Sequence, residues 1–160
     1  MTDVKPPRVT GDERETLISL LQYQRESVVR KLEGVSEEEA RASPVPSGTR
    51  LLWLIKHLTF AEAIWVLERF AGQELEPALA ADEVGSDDTV AAAVARYRAT
   101  WARVDAVVAA SDLDSLCAAG PAGGPLPDLR WVLAHLLQET ARHAGHADIL
   151  RELIDGQTGR

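Results

Sequence analysis

Residues 128–155, DLRWVLAHLLQETARHAGHADILRELID, decide the fold of this chain. Apolar residues recur in this stretch at helical spacing, and we predict one long helix. Asp128 can cap its N-terminus, and Pro127 just before it favours an extended approach. Gly156 stands where a left-handed residue would end the helix. Three of the four histidines of the chain lie in this segment, so it is also the first place to look for chemistry.

One face of the predicted helix carries four ionisable groups, His135, Glu139, His143 and His146. Positions four apart on a helix lie about 40° apart around the axis and roughly 6 Å apart along it, so these side chains share a stripe. Beside it runs an apolar stripe that we expect to face the core, made of Val132, Leu136, Ile149, Leu150 and Leu153. Ionisable groups beside a core are costly to bury unless they are paired or bound to a metal.

Length and composition predict a single domain with an ordinary core. The chain has 160 residues, and its net charge of −8 argues against binding to nucleic acid or to an anionic membrane. No apolar run reaches the roughly 20 residues that span a bilayer. The N-terminus lacks the apolar core of a signal peptide, and the single cysteine, Cys117, excludes an intramolecular disulfide. We therefore expect a cytoplasmic protein, with residues 1–10 as a flexible arm.

Three further long helices are predicted before residue 128, each from apolar residues spaced three and four apart. With the segment just described as helix 4, they are helix 1 from about Asp12 to Leu32, helix 2 from about Thr49 to Phe70, and helix 3 from about Thr89 to Ala110. A short helix, SEEEARA, is predicted from the capping box of Ser36 and Glu39. A long acidic loop joins helices 2 and 3. The fold class is therefore all-α, a four-helix bundle.

The candidate site combines helix 2 with helix 4, because bundles commonly build sites from side chains on facing helices. His57, the one histidine outside helix 4, could meet Glu139 and His143. Two imidazoles and a carboxylate suit Zn²⁺, Ni²⁺, Fe²⁺ or Co²⁺ and leave coordination positions open, which is typical of catalytic sites. Two other interpretations are open: His57 as a hydrogen-bonded core histidine, and Glu139 as a surface partner of Arg142 or Arg130.

The other candidate residues have supporting roles in this interpretation. His146 is expected beside the ligands or on the solvent face, although it could replace Glu139 as a ligand. His135 is expected on the helix face near the loop end of the site. Arg142 and Asp148 could pair with helix 1 or helix 2 and so support the ligands.

The four tryptophans and the cysteine are predicted to be structural. We expect core positions for Trp53, Trp65, Trp101 and Trp131. Cys117 lies in a predicted flexible loop with no basic residue close in sequence to lower its pKa, so we do not expect a catalytic thiol.

Two segments carry a resemblance to a known family. LLWLIKHLTFAEAIW (residues 51–65) and LRWVLAHLLQETARHAGHADILRELIDG (residues 129–156) resemble the DinB-like superfamily in its actinobacterial mini-circle-protein branch. The resemblance implies a four-helix bundle that holds a divalent metal through a histidine on helix 2 and two residues four apart on helix 4. By that resemblance His57, Glu139 and His143 are the ligands, with Zn²⁺ the expected metal and Ni²⁺ or Fe²⁺ as alternatives.

The helix 4 pair departs from many members of the superfamily, which have His-x-x-x-His where this chain has Glu139. The related mycothiol-dependent maleylpyruvate isomerase has the same His, Glu, His set. Its additional C-terminal domain has no counterpart in these 160 residues, so its specific reaction is not expected here. Members with an assigned activity use small thiols such as mycothiol or bacillithiol.

The resemblance implies a mycothiol-dependent S-transferase in which an open metal site activates the thiol for attack on an electrophile. One alternative is a non-catalytic bundle with a structural metal or none, which serves in binding or dimerisation. Another is a metal-dependent hydrolase. Apolar residues on several helix faces also predict a homodimer.

Overall fold

The computed structural model describes residues 4–121 and 124–159, and within them the chain is an all-α bundle, as predicted. α3 runs on without a break into a π-helical segment, and a short 3₁₀ turn, Pro77–Leu79, lies in the loop before α4. Predicted helices 1, 2, 3 and 4 correspond to α1, α3 with its π segment, α4 and α5. The α-helices are α1 Glu13–Leu32, α2 Glu37–Arg41, α3 Leu51–Glu62, α4 Val90–Ala109 and α5 Leu129–Asp155, and the π segment is Ala63–Phe70.

The helix ends follow the predicted capping chemistry. The side chain of Asp128 accepts a hydrogen bond from the backbone N–H of Trp131 at the start of α5. Gly156 ends that helix with φ +75°, a left-handed value that favours glycine. Ser36 and Glu39 form the predicted capping box of α2. These local signals set the helix boundaries to within a residue or two.

α1 packs chiefly along α5, and α3 packs against both α4 and α5. The apolar interior forms two clusters, one near each end of the bundle. Polar side chains separate the two clusters: Arg25 in α1, Glu62 at the end of α3, and Glu139 to His143 in α5. The bundle therefore has a polar middle layer between two apolar ends.

A buried ion pair occupies one side of that layer. Arg25 of α1 and Glu62 of α3 are both fully buried and form two parallel hydrogen bonds, Nε to Oε1 at 2.9 Å and Nη2 to Oε2 at 2.6 Å. Asp105 of α4 accepts a third bond from Arg25 Nη1 at 2.9 Å. Burial raises the pKa of the Glu62 carboxyl, and the paired guanidinium opposes that rise. The cluster ties three helices together at the point where α3 becomes π-helical.

The π segment was not predicted, because helix 2 reads as one continuous apolar run. It widens the helix over residues 63–70, and such segments often occur at functional sites. It carries Trp65 on the side that faces α5, where the ring contacts the ring of Trp131.

The predicted core positions hold for Trp101 and not for Trp131, which is 48% exposed. Trp53 and Trp65 are half-buried. Ile149 and Leu153, which the sequence predicts on the core-facing stripe, are each 56% exposed. The reason is geometric: the neighbouring helices cover only part of the circumference of α5, and Ile149 points about 100° away from the buried Leu150 that follows it.

The segment between α4 and α5 differs from the flexible loop predicted for it. Cys117 is 2% exposed, and an isolated antiparallel bridge joins Leu116 to Asp128. Burial raises the pKa of the Cys117 thiol, which agrees with a structural role. Of the predicted N-terminal arm, residues 1–3 lie outside the described residues, and the carbonyl of Val4 accepts a hydrogen bond from Tyr23 Oη at 2.9 Å.

No helix in the described residues is both long enough and apolar enough to cross a membrane. The predicted homodimer stays a prediction.

Candidate metal centre

Two antiparallel helices bring the predicted ligands together. His57 lies in α3, and Glu139 and His143 lie one turn apart in α5. One ligand atom from each residue can be chosen so that all three atoms lie within 4.8 Å of one another. Within residues 4–121 and 124–159, this is the one group of three histidine, cysteine or acidic side chains close enough to share a metal ion. The spacing within α5 and the facing helix therefore produce the predicted constellation.

Glu139 stands at the centre of the group. Its Oε1 lies 3.2 Å from Nε2 of His57 and 3.0 Å from Nε2 of His143. The side chains of His57 and Glu139 are 21% and 24% exposed, and that of His143 is 10% exposed. The three donor atoms thus converge at a partly open position and not in a sealed core.

The electrostatics of the group favour the protonation states that bind metals. Burial raises the pKa of the Glu139 carboxyl, but the hydrogen bond from His57 and the interactions with His143 outweigh it, and the net pKa is lowered. Burial also lowers the pKa of His143, although the Glu139 carboxylate works in the other direction. A carboxylate and a neutral imidazole are the forms that can coordinate a metal.

A residue that the sequence analysis did not identify orients His57. Asp82 comes from the long loop between the π segment and α4, and its Oδ2 accepts a hydrogen bond from Nδ1 of His57 at 2.8 Å. Asp82 would keep a proton on Nδ1 of His57 when a metal takes the place of the proton that Nε2 shares with Glu139. Carboxylate–histidine pairs of this kind commonly fix the tautomer of a metal ligand.

The loop that carries Asp82 is held at several points. The ammonium of Lys56, in α3, contacts the carbonyl oxygen of Glu83 and the Asp88 carboxylate, the latter at 2.5 Å. The guanidinium of Arg41 donates to the carbonyl oxygens of three loop residues, Gly85, Ser86 and Asp88. The loop is long for a bundle, and these contacts keep its acidic side chain in position beside the site.

His146 supports the group and is not part of it. Its Nδ1 lies 3.2 Å from Nδ1 of His143, and His146 is an exposed residue. A proton on Nδ1 of His143 can be donated to His146, which leaves Nε2 of His143 for a metal. This is the first of the two positions predicted for His146. Its alternative, replacement of Glu139 as a ligand, stays a prediction, and the group close enough to share a metal ion contains Glu139.

Trp53 closes one side of the centre. Its ring stacks on the ring of His57 with centroids 4.7 Å apart and an interplanar angle of 19°. The edge of the same tryptophan faces His143 at 6.1 Å. The indole therefore restricts the His57 ring and excludes water from one of its faces.

The remaining predicted residues lie elsewhere. His135, one turn before Glu139 in α5, stacks on Trp131. Asp148 pairs with Lys31 of α1 at 2.8 Å, as predicted. Arg142 makes no such pair with a described residue and instead borders an open cavity beside Glu139. Arg130 pairs with Glu13, Asp114 and Asp128, so the alternative that pairs it with Glu139 is wrong.

The donor set fits a divalent metal of the transition series. Two imidazole nitrogens and one carboxylate oxygen are ligands that Zn²⁺, Ni²⁺ and Fe²⁺ accept. Both imidazoles have a hydrogen-bond partner on the other ring nitrogen, Asp82 for His57 and His146 for His143. That arrangement is what a histidine ligand normally requires.

Comparisons with known proteins bear on the family and the fold. The sequence model of a family described as mycothiol S-transferase matches residues 16–156. A crystal structure of a conserved protein from Enterococcus faecalis is similar to this chain with a TM-score of 0.68 and 16% identity, over 92% of this chain and 100% of the other. No curated protein matches significantly. The structural likeness supports the fold alone, whereas the family match covers most of the chain. This chain belongs to the mycothiol S-transferase family, which is DinB-like.

Proposed function

We propose that this chain is a metal-dependent S-transferase that joins a small thiol, of which mycothiol is the candidate, to an electrophile. The observation that carries the proposal is the convergence of His57, Glu139 and His143 at a partly open position in a member of this family. These three side chains would hold a divalent metal. A metal bound there would stabilise the thiolate form of a coordinated thiol at neutral pH.

The protein's own groups prepare the site for that chemistry. Asp82 and His146 hold the two imidazoles with Nε2 directed to the centre. Trp53 keeps the ring of His57 in place. Because the ligands are oriented before metal or substrate arrives, little ordering is required at the moment of binding.

The open side of the centre favours an enzyme over a structural site. A structural zinc site is normally closed by four protein ligands. In the described residues, the group contains three, and His146, the candidate for a fourth, faces His143 through Nδ1. A hydrolase would further need a free general base, and Asp82 is engaged by His57. The transferase therefore agrees best with the geometry.

Metal analysis of protein purified without a metal-binding tag tests the site. We expect about one metal ion per chain in the wild type and none in His57→Ala or His143→Ala. His135→Ala is the matched control, because His135 is a histidine of the same helix that lies outside the group, and this variant should keep its metal. Absence of metal from the wild type after incubation with Zn²⁺ or Ni²⁺ would contradict the proposal.

Activity is tested separately, with mycothiol and a panel of electrophiles. Transfer should depend on the metal and disappear in His57→Ala. Transfer that persists at the wild-type rate in metal-free protein would remove the metal from the proposed reaction.

A further inference from the structure

The seam between α3 and α5 continues beyond the metal centre. Because the two helices are antiparallel, His57 faces Glu139 and His143, and Trp65, two turns on from His57, faces Trp131 and His135. Along the helix axis, His57 and Trp65 are on the order of 10 Å apart. Aromatic side chains thus lie at a distance from the ligands that one small molecule can span.

The rings of Trp65, Trp131 and His135 form a cluster. The ring of His135 stacks on Trp131 with centroids 4.9 Å apart and an interplanar angle of 12°, and Trp65 meets it edge-on at 4.8 Å. The guanidinium of Arg69 lies 4.3 Å above the Trp65 ring. These contacts fix the orientation of the two indoles.

Much of the apolar surface at this ring cluster is exposed to solvent. Trp131 is 48% exposed, and Leu126 beside it is 43% exposed. Together with Trp65 and Pro127 they border an open cavity of about 270 Å³. We call the surface made by Trp65, Leu126 and Trp131 the aromatic pocket. Exposed apolar surface in a rigid concave setting is typical of ligand sites.

His135 joins the aromatic pocket to the metal centre. A second cavity, of about 390 Å³, is bordered by His135, Gln138, Glu139 and Arg142. One wall of this second cavity is therefore the histidine that stacks on Trp131, and another is a member of the candidate metal group. A molecule in that space would touch Glu139 at one end and, at the other, His135, the residue that stacks on Trp131 of the aromatic pocket.

Trp65, which borders this pocket, belongs to the π segment. The segment begins at Ala63, directly after the buried Glu62 that α1 and α4 hold through Arg25 and Asp105. The segment is therefore anchored at its start, and its third residue, Trp65, contacts Trp131 and His135 of α5. A departure from regular α-helix at a half-buried aromatic ring that borders a cavity is more consistent with a binding site than with simple packing.

The chemistry of the walls distinguishes the two reactants. The aromatic pocket offers rings and aliphatic carbons, so a polyhydroxylated thiol would lose its hydration there without replacement. A flat apolar group loses little hydration and gains stacking contacts. At the other end of the seam, beyond Trp53, a cavity of about 260 Å³ is bordered by Ser47, Thr49 and Arg50, whose polar side chains suit a sugar-bearing thiol.

We propose that the aromatic pocket is the subsite for a flat apolar group of the electrophile, such as an aryl or other planar conjugated group. This proposal rests on the function proposed above and names the class of its second substrate. For an iodoacetamide that carries an aryl group on a linker, the thiolate sulfur bonds to the CH₂ carbon, the carbon–iodine bond breaks, and iodide leaves with the bonding electron pair, while the aryl group occupies the pocket. The proton of the thiol passes to solvent, so atoms and charges balance.

Binding is tested without turnover, using 2,4-dinitrotoluene, a flat ring with no leaving group, and isothermal titration calorimetry on the full chain. We expect saturable binding to the wild type and a Kd about tenfold higher for Trp131→Ala. Trp131→Phe should recover most of the affinity. Leu153→Ala is the matched control, because Leu153 is also an exposed apolar residue of α5 but lies at its opposite end.

Turnover is then compared for N-(4-phenylbutyl)iodoacetamide, whose phenyl group can reach the pocket from the reacting carbon, and iodoacetamide, which has the same reacting carbon and no ring, with the same thiol. The ratio of kcat/KM for the aryl substrate to that for iodoacetamide should fall about tenfold in Trp131→Ala and stay at the wild-type value in Leu153→Ala. Circular dichroism melts of each variant establish that it is folded.

The outcomes separate the two proposals. Failure of dinitrotoluene to bind the wild type, or equal binding by wild type and Trp131→Ala, would overturn the pocket even when both electrophiles are turned over normally. Selective loss of dinitrotoluene binding in a protein that turns over neither electrophile would support the pocket and contradict the transferase reaction.

Discussion

The middle layer of the bundle contains two polar clusters, and their hydrogen bonds are arranged in opposite ways. Arg25 and Glu62 are fully buried, and their hydrogen bonds are directed at each other and, from Arg25, at Asp105 and Gln22. In the metal centre the hydrogen bonds from Asp82 and His146 leave one donor atom of each histidine directed at a common, partly open position. The first cluster is complete in itself, whereas the second is complete only when something binds to it.

The comparison separates stability from function. A buried charge pair is strongly destabilised when one partner is removed, because the other charge stays buried without compensation. The groups of an open site lose far less, because water can replace the missing partner. Substitutions in the two clusters should therefore affect different measurements.

The largest effect is expected for Arg25→Ala, which leaves the Glu62 carboxyl buried and unpaired. We expect a loss of about 3–5 kcal/mol in the free energy of unfolding, measured by chemical denaturation of metal-free protein. The double variant Arg25→Met/Glu62→Leu should recover most of it. Arg130→Ala is the control, because that arginine forms ion pairs at the surface, and its loss should be far smaller. Equal losses for Arg25→Ala and Arg130→Ala would show that the buried pair contributes no more to the free energy of unfolding than the surface ion pairs do.

Removal of metal is the second way to separate the clusters. A chelator should lower the free energy of unfolding by about 3 kcal/mol when the free metal had been 100-fold above its Kd. His57→Ala should not respond to the chelator, whereas Arg25→Ala, though less stable, should still respond. A wild type whose thermal melt is the same with and without chelator would argue against a site that binds metal in the folded state.

A smaller effect is expected for Asp82→Asn, which keeps the size of the side chain but weakens the hold on Nδ1 of His57. Metal affinity should fall about 10- to 100-fold, measured by competition with a chromophoric chelator. Asp87→Asn, an exposed acid of the same loop, should keep the wild-type affinity. If the two variants bind metal equally well, Asp82 has no role in positioning the ligand.

The smallest effect concerns the anchor of the loop that carries Asp82. The hydrogen bond from Lys56 and, to a lesser extent, that from the backbone of Gly85 lower the pKa of Asp88 despite its partial burial. A lowered folded pKa contributes stability that is present above the unfolded value of 3.8 and is lost as pH falls through the folded pKa. Asp88→Asn should therefore be less stable than the wild type by about 1 kcal/mol above pH 5.

Denaturation between pH 2 and pH 7 measures this difference, which should shrink as pH falls below the unfolded pKa of 3.8. A difference that is constant over the whole range would assign the effect to packing and not to the charge of Asp88.

Much of the fold is predictable from local sequence because its causes are local. The apolar spacing in residues 128–155, the cap at Asp128 and the left-handed Gly156 act within one or two helical turns, and α5 has the bounds they predict. The ligand pair Glu139 and His143 is local in the same sense, since four residues make one turn. His57 required more: its place opposite the pair came from the bundle architecture and from the family resemblance.

Asp82 was not predictable, because its loop has no periodicity and reaches His57 across 25 positions of the chain. The buried Arg25–Glu62 pair was missed for a related reason, since a charged residue on a helix is expected to face solvent. The exposure of Trp131 depends on how far the neighbouring helices extend around α5. The π-helical turn at residues 63–70 has no marker in an apolar run.

The sequence by itself determined the all-α class, the ends of the helices and the presence of a histidine–carboxylate set at ligand spacing. These follow from backbone geometry and from contacts within a turn, which the order of residues specifies directly. Only the tertiary structure decided which polar cluster is sealed and which is open, which acid orients His57, and where aromatic surface is left uncovered. Those properties depend on contacts between residues far apart in the chain, which arise only when the helices pack together.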